Sequence, residues 1–273
     1  MFKELVNAAL PVKILIMGVL PAVLAVIVGL ALAFSKKTGV ITFLLYVVGF
    51  GVALIIYKTL PEYIQKGGPI VVVLITLLIL LVTYIIERSL TIGRARGAKP
   101  LDVFLQEFRE HLRSGNYTLA IEACEQQKGS TANVLRAGLE KYLALQNSSL
   151  SQDKKMAEIQ RAIEEANMLE TPLLERNLIV LTTIASIGTM VGLLGTTVGM
   201  IRAFQAMAHA GAPDAGELAR GISEALINTA GGLLNGIGGI VSNNYFMNKV
   251  SQFQFGTDEA VYEMTQLLMI GEK

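Results

Sequence analysis

The chain has no tryptophan, a single cysteine and two histidines in 273 residues, and only 16% of its side chains are charged. Each shortage excludes something. Cys124 has no second thiol with which to close an internal disulfide or a metal knot, so it reads as a small buried hydrophobe. His111 and His209 lie far apart with no ligand partner near either, which argues against a zinc site. A formal net charge of +1 gives no electrostatic reason to invoke nucleic acid. No nucleophile–base pair or metal cluster is visible, so an enzyme is the least expected class and no cofactor is expected. What fills the chain instead is apolar: 52% of it, too much for an ordinary soluble domain of this size.

Charge is absent altogether from five runs: Ile14–Ser35, Thr38–Tyr57, Gly67–Ile86, Asn177–Ile201 and Ala225–Asn248. Each holds 20 to 25 residues, and about 20 apolar residues let a helix cross the hydrocarbon core. The first run is long for the apolar centre of a signal peptide and lacks an Ala-x-Ala cleavage site, so it reads as a span. The expectation is an all-α, polytopic membrane protein with five transmembrane helices. Two fall within residues 1–66, a third at 67–86, and a last pair within 177–251.

Between spans three and four the sequence changes character. Residues 87–176 hold 26 of the 45 charged residues, 13 of each sign, and stretches such as VFLQEFREHL and MAEIQRAIEEANML have helical apolar spacing. This predicts a soluble helical domain, interrupted at Ser114-Gly115-Asn116, Lys128-Gly129-Ser130 and Asn147–Ser151, with Thr171-Pro172 marking the start of span four. Its balanced charges suit solvated helices and contacts between subunits. Arg88, Arg94, Arg96 and Lys99 follow span three, and Lys36-Lys37 separate spans one and two. The positive-inside rule places both groups in the cytoplasm. Alternation then puts the N-terminus and the loops at Lys58–Lys66 and Ala208–Ala219 outside, and the tail at 252–273 inside.

Spans four and five differ from the others in being polar along one face. Thr182, Ser186, Thr189, Leu193 and Thr196 step by four and three along span four. Glu224, Asn228, Gly231, Asn235, Gly238 and Ser242 do the same along span five, beside a second row of Ala225, Thr229, Gly232, Gly236 and Gly239. Small residues let membrane helices approach closely, which accounts for the glycines. Two asparagines and a glutamate exceed what packing needs, and an ionisable group in a span is a functional candidate. Thr196 and Thr229 fall at similar depths, roughly 20 and 15 Å from the outer ends of their spans. Arg202 and Glu224, both near that surface, are expected to pair at an outer mouth.

The segments GLLGTTVGMIRAF and GISEALINTAGGL, with RAGLE at Arg136–Glu140, resemble the signature segments of the ExbB and TolQ proton-channel subunits, over roughly Pro69 to Ser251. The resemblance is nearer to ExbB, with MotA-type stators more distant. It implies a homopentamer whose spans four and five line a lumen. An ExbD- or TolR-like partner would place its transmembrane helices there and supply the aspartate that carries the proton. A TonB- or TolA-like protein would receive the work. On this resemblance Thr196 is the pore-lining hydroxyl of GLxGT, Glu224 the carboxylate of GIxEAL, and Thr229 the hydroxyl of the following NTA step. Ser186, Thr189, Asn228 and Asn235 complete the expected ion pathway. Spans one and two are additional to the usual plan, and Asn228, Asn235 and Gly238-Gly239 replace residues that are mostly apolar in familiar members.

The implied ion is a proton; hydroxyls alone do not discriminate it from sodium. Two other readings compete: a non-conducting scaffold whose polar faces only join subunits, and a secondary transporter. The latter is disfavoured because spans one to three do not mirror four and five and no proline interrupts the polar pair. Glu164, Glu165 and Glu170 are placed by position alone at the inner mouth, where they would gather protons or cations.

Overall fold

The computed structural model describes residues 38–209 and 215–271, and among them it contains nine helices and no strand. These are α1 (Thr38–Thr59), α2 (Glu62–Gln65), α3 (Pro69–Ala95), α4 (Leu101–Arg113), α5 (Tyr117–Gln127), α6 (Ser130–Leu145), α7 (Gln152–Glu175), α8 (Leu178–His209) and α9 (Ala215–Gly271). Among the described residues three helical stretches are long and apolar enough to cross a membrane: Pro69–Ala95, the α8 portion of Gln152–Met207, and Ala215–Met269. Of the five expected spans, the first lies outside the described residues. The second falls on the 22-residue helix α1, whose apolar stretch Val47–Thr59 is not one of those three.

The chain divides into two compact units. One combines the residues up to Arg88 with Asn177–Asn244, and the other combines Ser89–Arg176 with the residues from Tyr245 onward. The membrane unit is held together mainly by backbone approach. Glycines on α8 face small residues of the antiparallel α9 so closely that side chains do not fit. A methyl added at Gly192 would lie 2.8 Å from Gly232 Cα and 2.9 Å from the Asn228 carbonyl oxygen. At Gly199 it would meet the Gly221 carbonyl at 2.8 Å, and at Gly239 the Leu181 carbonyl at 2.7 Å. Lipid tails are as apolar as leucine, so hydrophobic burial gives little drive to associate here, and close van der Waals packing replaces it.

Helix α3 runs parallel to α9 and packs on its other flank. Asn228 Nδ2 donates to the Gly67 carbonyl at 3.0 Å, and one register further on Asn235 Nδ2 donates to the Leu74 carbonyl at 3.1 Å. Gly231 and Gly238 rest against Leu74 and Leu81. Where α3 leaves this unit, Arg88 and Glu87 form a buried bidentate pair, with Nε to Oε2 at 2.7 Å and an Nη2–Oε1 contact of 2.5 Å. Asn177, in the left-handed region at φ 63°, follows the end of α7.

The second unit, which holds the charge-rich segment and is termed the soluble unit after its composition, is built on a different principle. Phe104, Phe108 and Leu112 of α4, Leu135 and Leu139 of α6, and Ile159 and Ile163 of α7 form one apolar core. Ala260, Met264 and Leu268 of α9 close it. The segment expected as a separate C-terminal tail is therefore part of this core. Phe246, Val250, Phe253, Thr257, Ala260, Met264 and Leu268 are all buried on one helical face, repeating every three or four residues. Gly138 of the RAGLE motif sits against Ile163 and Met264, each 2.7 Å from where a methyl would be, which makes glycine a packing requirement there. Buried Gln127 clasps the α3–α4 linker, donating to the Arg96 and Lys99 carbonyls at 2.9 and 2.8 Å and accepting from Lys99 N at 3.0 Å. Gly97, at φ 86°, leaves it room. Burial in this unit pushes the Cys124 thiol up from 9.0 to about 12, against a smaller lowering by Arg136.

The start of span four differs from the expectation. Helix α7 continues through Pro172 to Glu175, and the turn comes at Arg176-Asn177. A proline lacks only its own N–H and excludes one carbonyl partner four residues back, so a long helix can accommodate one near its end.

Candidate functional site

The residues singled out by the sequence lie along α8 and α9 in the membrane unit, in two environments. At one end, Arg202 of α8 and Glu224 of α9 form an ion pair of 2.5 Å. The carboxylate is 8% exposed and the guanidinium 53% exposed, so Glu224 is the buried partner and Arg202 reaches out of the packing. Gly68, at φ +70°, closes against the pair: a methyl there would lie 2.8 Å from Glu224 Oε1. The turn before Pro69 also presents the N-terminal end of α3 near the carboxylate, where a helix dipole favours negative charge. Sequence reasoning proposed the pair but missed Gly67-Gly68. Their signal is a glycine pair just before a proline at the first position of a helix.

Deeper in the unit, Gly195 abuts the Asn228 side chain, which puts the neighbouring Thr196 and Thr229 at one level of the antiparallel hairpin. Thr189 is brought to Gly236 in the same way. The α8 hydroxyls donate to their own helix: Thr182 to Ile179 O at 2.9 Å, Thr189 to Ala185 O at 2.9 Å and Thr196 to Leu193 O at 2.6 Å. Their protons are thus occupied, which leaves each oxygen able to act only as an acceptor. Thr229 is different. Its Oγ1 is buried with no hydrogen-bond partner. Ser186 is exposed, while Thr189, Thr196 and Thr229 are half-buried.

Asn228 and Asn235 are placed otherwise than expected. They are 0% and 1% exposed, face the interior of the α3–α8–α9 packing and donate their amide N–H groups to the carbonyls of Gly67, just before α3, and of Leu74 within it. The pore-lining row read from the sequence therefore needs correction at these two positions. A step of four and three puts residues on one helical face but does not say whether that face meets a lumen or a neighbouring helix. Ser242, in the same row, is half-buried and donates to Gly238 O at 2.7 Å. The matching glycines of α8, Gly188, Gly192, Gly195 and Gly199, escaped the sequence reading although they repeat at the same three- and four-residue spacing.

The remaining expected residues lie in the soluble unit. Glu165 pairs with Arg161 at 3.1 Å, Glu170 accepts from Asn133 Nδ2 at 2.8 Å, and Glu164 is exposed. The RAGLE ends pair with each other, Arg136 to Glu140 at 2.6 Å, and Arg136 also reaches Glu125 at 3.0 Å. Exposed pairs of this kind add little stability. Among the described residues no group of three or more His, Cys, Asp or Glu side chains could hold a metal.

An α8–α9 hairpin with hydroxyls at matched depth, a charge pair at one end and a helical insertion before it is the geometry of the segment that a family comparison recovers. Residues 126–257 match the MotA/TolQ/ExbB proton channel family. The likeness to that family extends over just under half of the chain. The match covers α6 through most of α9 and includes every candidate residue from Arg136 to Asn235. No curated protein matches the chain in the comparison made. A match to a proton channel family agrees with the long apolar helices of a helical membrane protein.

Proposed function

We propose that the protein is an ExbB-like subunit of an inner-membrane motor that converts the proton-motive force into work on a TonB-like protein. In this reading copies of the chain form a ring, a pentamer by the family resemblance. The transmembrane helices of an ExbD-like partner occupy its lumen. The chain is not an enzyme and uses no cofactor; protons are the transported ion. Its N-terminus is periplasmic and its C-terminus cytoplasmic.

The observation that carries this reading is the level match of Thr196 and Thr229 in a hairpin without a deep titratable group. No Asp, Glu, Lys or Arg occurs in Asn177–Ile201 or Ala225–Asn248. Hydroxyls can hold water or a carboxylate while a proton passes, but they cannot store the proton. A path of this composition needs a partner's carboxylate, which fits a machine of two components. Assembly is supported by apolar side chains exposed on one chain: Met168 and Leu169 of α7 are 72% and 74% exposed, and Met190 and Leu193 of α8 are 67% and 56% exposed.

The test is Thr229→Val, co-expressed with the native ExbD-like partner at matched levels. Valine keeps the shape and removes a hydroxyl that has no partner, so assembly and thermal stability should be unchanged or slightly improved. Energy-dependent uptake should fall to background. Intact uptake would make the hydroxyl a packing atom and remove Thr229 from the ion path. The same variant with a TolR-like partner, read by envelope integrity, separates the TolQ-like assignment from the ExbB-like one.

A further inference from the structure

The soluble unit contains a cavity of about 640 Å³ that the channel reading does not use. Its walls come from the C-terminal end of α3, the α3–α4 linker and α9 just beyond its apolar run. Two cations reach it without an acidic partner: neither Arg96 nor Lys249 has a carboxylate within 4.0 Å among the described residues. Lys249 instead lies 5.8 Å from the centre of the Tyr245 ring. A third cation, Lys99, is engaged by Glu107 at 2.5 Å. The acid on the wall, Asp102, sits in the first turn of α4, where the positive end of the helix offsets its charge. Buried Ile92 and Phe253 supply an apolar floor.

The place of this cavity's cations along the sequence identifies the occupant. Glu87 and Arg88 neutralise each other inside the packing, so they do not mark where α3 leaves the hydrocarbon. The first exposed charge on α3 is Arg94, and Arg96 follows two residues later, roughly 3 Å further along. Lys249 is the first charge after the 24-residue run Ala225–Asn248. Both cations thus come among the first exposed charges beyond an apolar run, where a spanning helix meets phospholipid phosphates, beside a floor that a water-soluble anion would leave unused. We propose that this cavity binds the head group of an anionic phospholipid. Its phosphate lies between Arg96 and Lys249, and its glycerol and first acyl carbons cover Ile92 and Phe253. This site is independent of the motor reading.

The full chain reconstituted in phosphatidylcholine vesicles, probed with spin-labelled phosphatidylglycerol and phosphatidylcholine, gives the relative association of the two lipids. The native chain should prefer phosphatidylglycerol, and each of Arg96→Gln and Lys249→Gln should reduce that preference by about fivefold, the effect expected of one basic residue at a charged surface. The double variant should show almost none, while Lys58→Gln/Lys66→Gln, which removes equal charge elsewhere, should keep it. If the double variant does not reconstitute, Lys249→Gln alone is read by the same ratio. Three results would overturn the site: no preference in the native chain, equal loss in both double variants, or loss on adding millimolar inorganic phosphate at constant ionic strength. The last would mark a soluble-anion site.

Discussion

The two units of this protein solve the same problem, holding helices together, by opposite means. In the soluble unit large apolar side chains interlock, with Phe104, Leu135, Leu139 and Met264 at 1% exposure or less. In the membrane unit the α8–α9 contact is made where side chains are missing, at Gly192, Gly199, Gly232 and Gly239. Water makes burying a leucine favourable, and lipid does not. The membrane unit therefore relies on backbone contact and on amide hydrogen bonds from Asn228 and Asn235. A volume change should consequently have opposite consequences in the two units: adding atoms breaks one, and removing them breaks the other.

The largest effect is expected from adding atoms to the glycine seam. Overpacking costs about 1–3 kcal/mol and occasionally more, and Gly192→Ile belongs at or above the upper end because it must displace the Gly232 backbone and not a flexible side chain. Detergent-solubilised variant should lose its cooperative thermal transition; retention of the native melting temperature would refute the seam. Removing atoms from the soluble core comes next. Leu135→Ala should cost about 2–5 kcal/mol, measured by denaturant unfolding, because Leu135 is fully buried. A loss below about 1 kcal/mol would show that the core collapses around the gap.

Cys124 offers a pH test confined to the soluble unit. Its thiol is raised from 9.0 to about 12 by burial, so the folded protein favours the neutral form. The resulting stability is complete below about pH 9 and is lost as pH rises from there towards about 12, where the unfolded chain ionises first. Maleimide labelling at pH 8 should be slow in the folded protein and fast after denaturation. Equal rates would place the thiol at the surface. The smallest effect belongs to Asn235→Leu, which removes one cross-helix hydrogen bond but also an oxygen, Oδ1, that has no partner. Membrane hydrogen bonds average about 0.6 kcal/mol, so a change within about 1 kcal/mol is expected. A much larger loss would give Asn235 a role beyond joining α3 to α9.

Much of this was legible along the chain. Charge-free runs mark the spanning helices because a charged side chain at the bilayer centre is costly. The 13 acidic and 13 basic residues of 87–176 mark the insertion, whose helices form as the apolar spacing predicts. The Arg202–Glu224 pair was legible because opposite charges at matched depth on adjacent antiparallel helices have few other partners. The fate of the asparagines was not. A polar residue facing a lumen and one facing a neighbouring carbonyl produce the same three- and four-residue repeat, and only the position of α3 separates them.

The same limit governs the tail and the charges at the end of α3. Composition alone made residues 252–273 a cytoplasmic appendage, while Ala260, Met264 and Leu268 complete the soluble core. Arg88 looks like one more basic residue flanking a span, yet it is 1% exposed and neutralised by its neighbour Glu87. Sequence by itself determined which stretches are apolar, which are charged and which helical faces are small or polar, since these follow from local solvation and a fixed helical period. Tertiary structure alone decided what each face meets, because a partner helix brought in from 161 positions away along the chain leaves no mark in the local pattern.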